Sequence, residues 1–112
     1  MTENIQEMCK RYRARWEREG QWVEPDLDQA LMFIVTEIGE ACDARLRQSR
    51  FVRNNPGEAP DDLALGVELF DVVLMCCVAL DQLGLDLDIL VRIKLNAMDR
   101  KRRGDGCVQL SH

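Results

Sequence analysis

Four carboxylates stand in two pairs of the same spacing, Glu37 with Glu40 and Glu68 with Asp71. Residues three apart share one face of a helix, so each pair can present two acids in one direction. The second pair lies inside LALGVELFDVVLMCCVAL, residues 63–80, where only Gly66, Glu68 and Asp71 interrupt an apolar run. An ionised carboxylate without a partner in such surroundings is costly, and it either takes up a proton or finds a cation. Four of them brought together cannot all stay ionised unaided. A divalent ion that prefers hard oxygen ligands resolves the conflict, and Mg²⁺ or Mn²⁺ suits a site built from carboxylates alone. The di-iron sites of helical bundles add histidine as Glu-x-x-His, whereas the only histidine in this chain is His112. Iron and oxygen chemistry is therefore disfavoured. Mg²⁺ with few protein ligands keeps open positions that a phosphate commonly fills. Such ions neutralise a polyphosphate and activate a water for attack at phosphorus. Basic residues follow both acid pairs, at Arg45 to Arg53 and Arg92 to Arg103, and Arg suits bidentate phosphate contacts.

Helices must position these acids, and the spacing of apolar residues predicts four. Thr2 to Glu19 carries Ile5, Met8, Cys9, Tyr12 and Trp16 at helical spacing and stops at Gly20. After the GQWVEP link, Asp26 with Gln29 three residues on has the form of a capping box. Leu27 to about Gln48 then forms the second helix, with Ala30, Leu31, Ile34, Ile38 and Ala41 as its stripe and Glu37 and Glu40 beside it. Asn54-Asn55-Pro56-Gly57-Glu58-Ala59-Pro60 is the clearest break. Asp61 or Asp62 caps the third helix, which ends near Leu83-Gly84 and is expected to be buried on most sides. Asp86 starts the fourth, and Gly104-Asp105-Gly106 ends it. No segment alternates like a strand. The expected fold is all-α: an antiparallel bundle of four main helices in one domain over residues 1–112. Residues 1–26 form the first helix and linker, 27–103 the acid-bearing core, and 104–112 a tail.

A chain of 112 residues has room for one core and little more. The net charge of −5 gives no general reason to bind a nucleic acid polymer or an anionic membrane. Five cysteines without CxxC spacing read as reduced thiols in a cytoplasmic protein rather than a zinc or disulfide framework. The start, MTENIQEMCKRYR, lacks a signal-peptide core. Residues 63–80 approach the length of a membrane span, but two acids near the middle would each cost about 2.5–3.5 kcal/mol there. A buried helix of a soluble bundle is the expectation. Four helices leave one flank of each in water, so Phe70, Val73, Leu74 and Cys77 cannot all be covered within one chain. An exposed apolar stripe of that size marks an interface, here with a second copy.

The ordered pair, Glu37-Ile38-Gly39-Glu40-Ala41 and then Glu68-Leu69-Phe70-Asp71-Val72-Val73, resembles the MazG-like all-α nucleoside triphosphate pyrophosphohydrolases. Leu83-Gly84-Leu85-Asp86-Leu87 is similar to that family's turn into its fourth helix, and Arg92-Ile93-Lys94-Leu95-Asn96 to its basic segment ending in Asn. The resemblance covers about Leu27 to Arg103. It implies a Mg²⁺-dependent enzyme, with Mn²⁺ as a substitute, that cleaves a (d)NTP to (d)NMP and pyrophosphate in nucleotide-pool housecleaning. Glu37, Glu40, Glu68 and Asp71 would be metal ligands, with Glu37 or Glu40 also orienting the attacking water. Lys94 and Asn96 would contact substrate. Arg92 stands where the family often has lysine, a departure that weakens the phosphate assignment there. Trp16 or Trp22 would meet the base, against the plainer reading of core packing. The family's dimers share a bundle, which implies a homodimer or homotetramer. Two other readings stay open, a phosphoribosyl-ATP pyrophosphatase-like enzyme and a helical regulator that binds nucleotide or metal without turnover.

Overall fold

The computed structural model describes residues 2–47 and 62–104. The expected break at 54–60, the cap at Asp61, Arg50, Arg53, and the tail with Cys107 and His112 lie outside the described residues. Four helices are present: α1 (Ile5–Arg18), α2 (Leu27–Arg47), α3 (Asp62–Leu83) and α4 (Leu87–Arg102). No strand occurs among the described residues.

The helix ends follow from local chemistry. Asp26 and Gln29 exchange backbone and side-chain bonds at 2.8 and 3.0 Å, closing the capping box ahead of α2. Asp86 caps α4 by accepting from the Ile89 N–H. Gly20, Gly84 and Gly104 follow α1, α3 and α4 with φ of 73°, 70° and 78°, a conformation that costs glycine little and other residues more. The first helix starts at Ile5, not at the expected Thr2, and ends at Arg18. Asn4 and Glu7 make a second capping box, which the Asn-x-x-Glu spacing already carries.

The main packing is α2 against α3, with α1 leaning on α3 and α4 meeting the others only slightly. A small apolar cluster of Ala30, Val78 and Ala79, flanked by Trp22, Leu27 and Met75, ties α2 to the C-terminal half of α3. The inward face of α1 corrects the sequence expectation. Its buried residues are Gln6, Cys9 and Arg13, whereas Ile5, Met8 and Tyr12 face outward. Polar side chains can occupy that seam because Gln6 and Arg13 both bond across it. The Gln6 amide donates to Asp81 at 2.8 Å and to the Leu85 carbonyl at 2.9 Å, and it accepts from the Leu87 N–H at 2.7 Å. Gln6 thus fastens α1 to the turn between α3 and α4. Replacing Gln6 with Ala should lower unfolding stability by about 2 kcal/mol, because buried partners lose their bonds. Chemical denaturation of the variant against the parent chain measures this.

Arg13 is the second fastener. Its side chain is 3% exposed and bonds to Glu24 at 2.9 Å and Asp81 at 2.8 Å. Burial opposes its charge, and the two carboxylates outweigh that, holding its pKa above the usual arginine value. Glu24 is pushed up by burial, yet the bonds from Arg13 and Trp22 hold it below the usual carboxylate range. Replacing Arg13 with Met would strand two carboxylates and should cost about 3–5 kcal/mol, read as a lower denaturation midpoint.

The expectation for α3 is met only in part. Cys77, Val78 and Ala79 are buried, but Leu63, Val67, Leu69, Phe70 and Val73 remain exposed. By length and composition α3 is the one described helix able to cross a membrane. On α4, Ile89, Val91, Ile93, Leu95 and Met98 are exposed as well. The radius of gyration is 18.6 Å, against about 13 Å for a compact chain of this length.

Candidate metal centre

The antiparallel run of α2 and α3 decides which acids meet. Ala30 packs with Val78 and Ala79 near one end of the pair. Glu37 lies seven residues further along α2, about 10 Å at the rise of a helix. Glu68 lies ten residues back along α3, about 15 Å from Val78. Both therefore fall on the same side of the apolar cluster. Carboxylate oxygens of Glu37, Glu40 and Glu68 all lie within 4.8 Å of one another. Asp71 stands close enough to act on Glu37, although it is outside that tight group.

The electrostatics agree with the crowding. Glu37 is held above its ordinary carboxylate range, first by partial burial and then by the charges of Glu40, Asp71 and Glu68. Among the described residues no lysine or arginine is bonded to these four acids. Glu37 thus carries like-charge repulsion from its three neighbours.

The donor set also fits by size. Oxygens bound to one Mg²⁺ at about 2.0–2.1 Å stand about 3 Å apart when adjacent and about 4.2 Å when opposite. A spread of 4.8 Å needs only small side-chain movement to reach that geometry. All the donors are hard oxygens, which suits Mg²⁺ and Mn²⁺ and does not suit soft-metal chemistry.

A raised carboxylate has a defined sign. In the metal-free chain, Glu37 contributes stability below the unfolded carboxylate range and loses it as pH rises through the elevated folded value. At neutral pH the ionised Glu37 would therefore cost stability, which a bound cation would restore. Mg²⁺ should raise the melting temperature at pH 7, and by clearly less at pH 5, where protons compete for the same oxygens. Thermal scans with and without Mg²⁺ at both values test this.

The other candidate residues are placed differently. Arg92, Lys94 and Asn96 are exposed on α4, which makes only slight contact with the acid-bearing helices. Trp22 packs on the apolar cluster and donates its indole N–H to Glu24 at 2.8 Å. Trp16 stacks at a tilt between Tyr12 and Trp22, with ring centroids 5.9 and 5.8 Å apart. The single chain thus gathers the acids but brings neither the aromatic residues nor the α4 residues to them. Sequence reasoning missed the network of Gln6, Arg13, Glu24 and Asp81. Its only visible trace was a run of polar residues on one face of α1.

Comparison with known proteins adds no relative: no family model matches the chain, nor does any curated protein or solved structure.

Proposed function

We propose that this protein is a Mg²⁺-dependent nucleoside triphosphate pyrophosphohydrolase, releasing (d)NMP and pyrophosphate and serving as a cytoplasmic housecleaner of the nucleotide pool. The observation that carries this reading is the convergence of Glu37, Glu40 and Glu68 from two helices, with Asp71 beside them. Their order and context in the sequence, which resemble the MazG-like enzymes, supply the reaction class.

Glu37, Glu40, Glu68 and Asp71 would hold the metal. When bound, Mg²⁺ supplies charge neutralisation for the phosphates and makes water a better nucleophile. Glu37 or Glu40 would accept a hydrogen bond from the attacking water and aim its oxygen at the α phosphorus. The bond from that phosphorus to the bridging oxygen of the β phosphate breaks, and pyrophosphate leaves. Arg92, Lys94 and Asn96 carry the donors suited to phosphate and sugar oxygens. They lie on a helix that the single chain leaves largely unpacked, so the reading includes a homodimer or homotetramer that seats α4. It includes no nucleic acid polymer and no membrane, since Glu68 and Asp71 interrupt the apolar α3.

The test is a panel of canonical and damaged (d)NTPs with Mg²⁺, together with phosphoribosyl-ATP. Pyrophosphate and a monophosphate are the expected products. In ¹⁸O-labelled water the label should enter the monophosphate and not the pyrophosphate. Label in orthophosphate or pyrophosphate would place the attack at an outer phosphorus. Turnover of phosphoribosyl-ATP alone would favour the related histidine-pathway type of enzyme. Binding without turnover across the panel would make the protein a regulator.

A further inference from the structure

The seam between α1 and α3 carries two thiols that the metal centre does not use. Gln6 and Arg13 bond to the two oxygens of one Asp81 carboxylate. Cys9 sits between them on the same face of α1, three residues after Gln6 and four before Arg13. Cys77 stands one turn before Asp81 on α3, on the face that meets α1. The shared carboxylate fixes the register of α1 on α3, and in that register the Cys9 thiol lies close enough to act on the Cys77 thiol. Both cysteines are buried. A further group completes the cluster: the buried Arg13 Nη1 has no hydrogen-bond partner. Its guanidinium charge favours ionisation of the Cys77 thiol, although burial dominates and pushes that thiol up to about 11.

We propose that Cys9 and Cys77 form a reversible disulfide that staples α1 to α3 when the protein meets a small disulfide oxidant. The ionised Cys9 sulfur attacks one sulfur of glutathione disulfide, and one glutathione leaves as thiolate. The Cys77 sulfur, once deprotonated, attacks the Cys9 sulfur of the mixed disulfide and expels the second glutathione. Two protein thiols are oxidised, one glutathione disulfide is reduced, and the two protons end on the glutathiones. The Arg13 guanidinium charge favours the Cys77 thiolate through which the exchange passes. Burial of both sulfurs makes the exchange slow and confines it to moments when α1 lifts from α3. The closed disulfide then holds α1 in place through a loop of about 70 residues, long enough for a large entropic gain.

The experiment treats the full chain with glutathione disulfide and maps peptides without reduction. The expected result is a linked pair of peptides containing Cys9 and Cys77, reversed by dithiothreitol. Melting should rise by more than about 10 °C, and a chain carrying Cys9→Ala should show no such rise. Mapping of the parent chain decides the matter even if that variant does not fold. Cys42 is exposed, so glutathione capping there with Cys9 and Cys77 left unlinked would overturn the proposal. A linked pair with unchanged melting would overturn the staple as well. Neither readout depends on metal or nucleotide.

Discussion

Replacing Glu68 with Gln should reduce Mg²⁺-dependent turnover by at least about 10³-fold while leaving the helices intact. Gln keeps the shape of Glu and removes the charge, so the effect isolates what the carboxylate does. Glu68 shares one tight group of oxygens with Glu37 and Glu40, and its charge is one cause of the raised Glu37 value. Removing that charge relieves repulsion. The metal-free variant should therefore melt no lower than the parent chain, and the shift produced by Mg²⁺ should shrink or vanish. A merely structural glutamate would behave in the opposite way, with lower metal-free stability and unchanged response to Mg²⁺. Circular dichroism, thermal scans and pyrophosphate release on one preparation separate the two. Full turnover in this variant would end the metal assignment.

Introducing Asp at Phe70 or Val73 should abolish assembly and, with it, activity. Phe70 is 47% exposed and Val73 38% exposed in the single chain, on the helix with the most apolar sequence of the four. Cys77 is not part of this exposed stripe, since it is fully buried within the single chain. An obligate homodimer interface over Phe70 and Val73 would bury more than about 2,000 Å² in total. A second copy would cover α3 and the apolar residues of α4 together. A charge placed in that contact would lose its water without gaining a partner. Light scattering at micromolar concentration should show a dimer or tetramer for the parent chain. The variants should be monomeric or unfolded, and inactive. A monodisperse, active monomer of the parent chain would refute the assembly.

Much of this protein is set by short-range chemistry and is therefore readable along the chain. Asp26 with Gln29, Asp86, and the glycines at 20, 84 and 104 start or stop helices through groups only a few residues apart. The three-residue spacing of Glu37 and Glu40, and of Glu68 and Asp71, puts each pair on one face whatever surrounds it. Tertiary structure decided the rest. Helical periodicity sets side chains relative to their own axis, but the rotation and neighbours of that axis depend on residues far away in sequence. The apolar residues of α1 predicted an inward Ile5, Met8 and Tyr12, yet Asp81 on α3 offered bonds to Gln6 and Arg13, and α1 turned its polar face inward. The apolar composition of α3 predicted burial, yet one chain holds too few helices against it to cover its first half. The three glutamates meet because α2 and α3 pack at one relative height, which the apolar contacts of Ala30 with Val78 and Ala79 fix and no local spacing encodes.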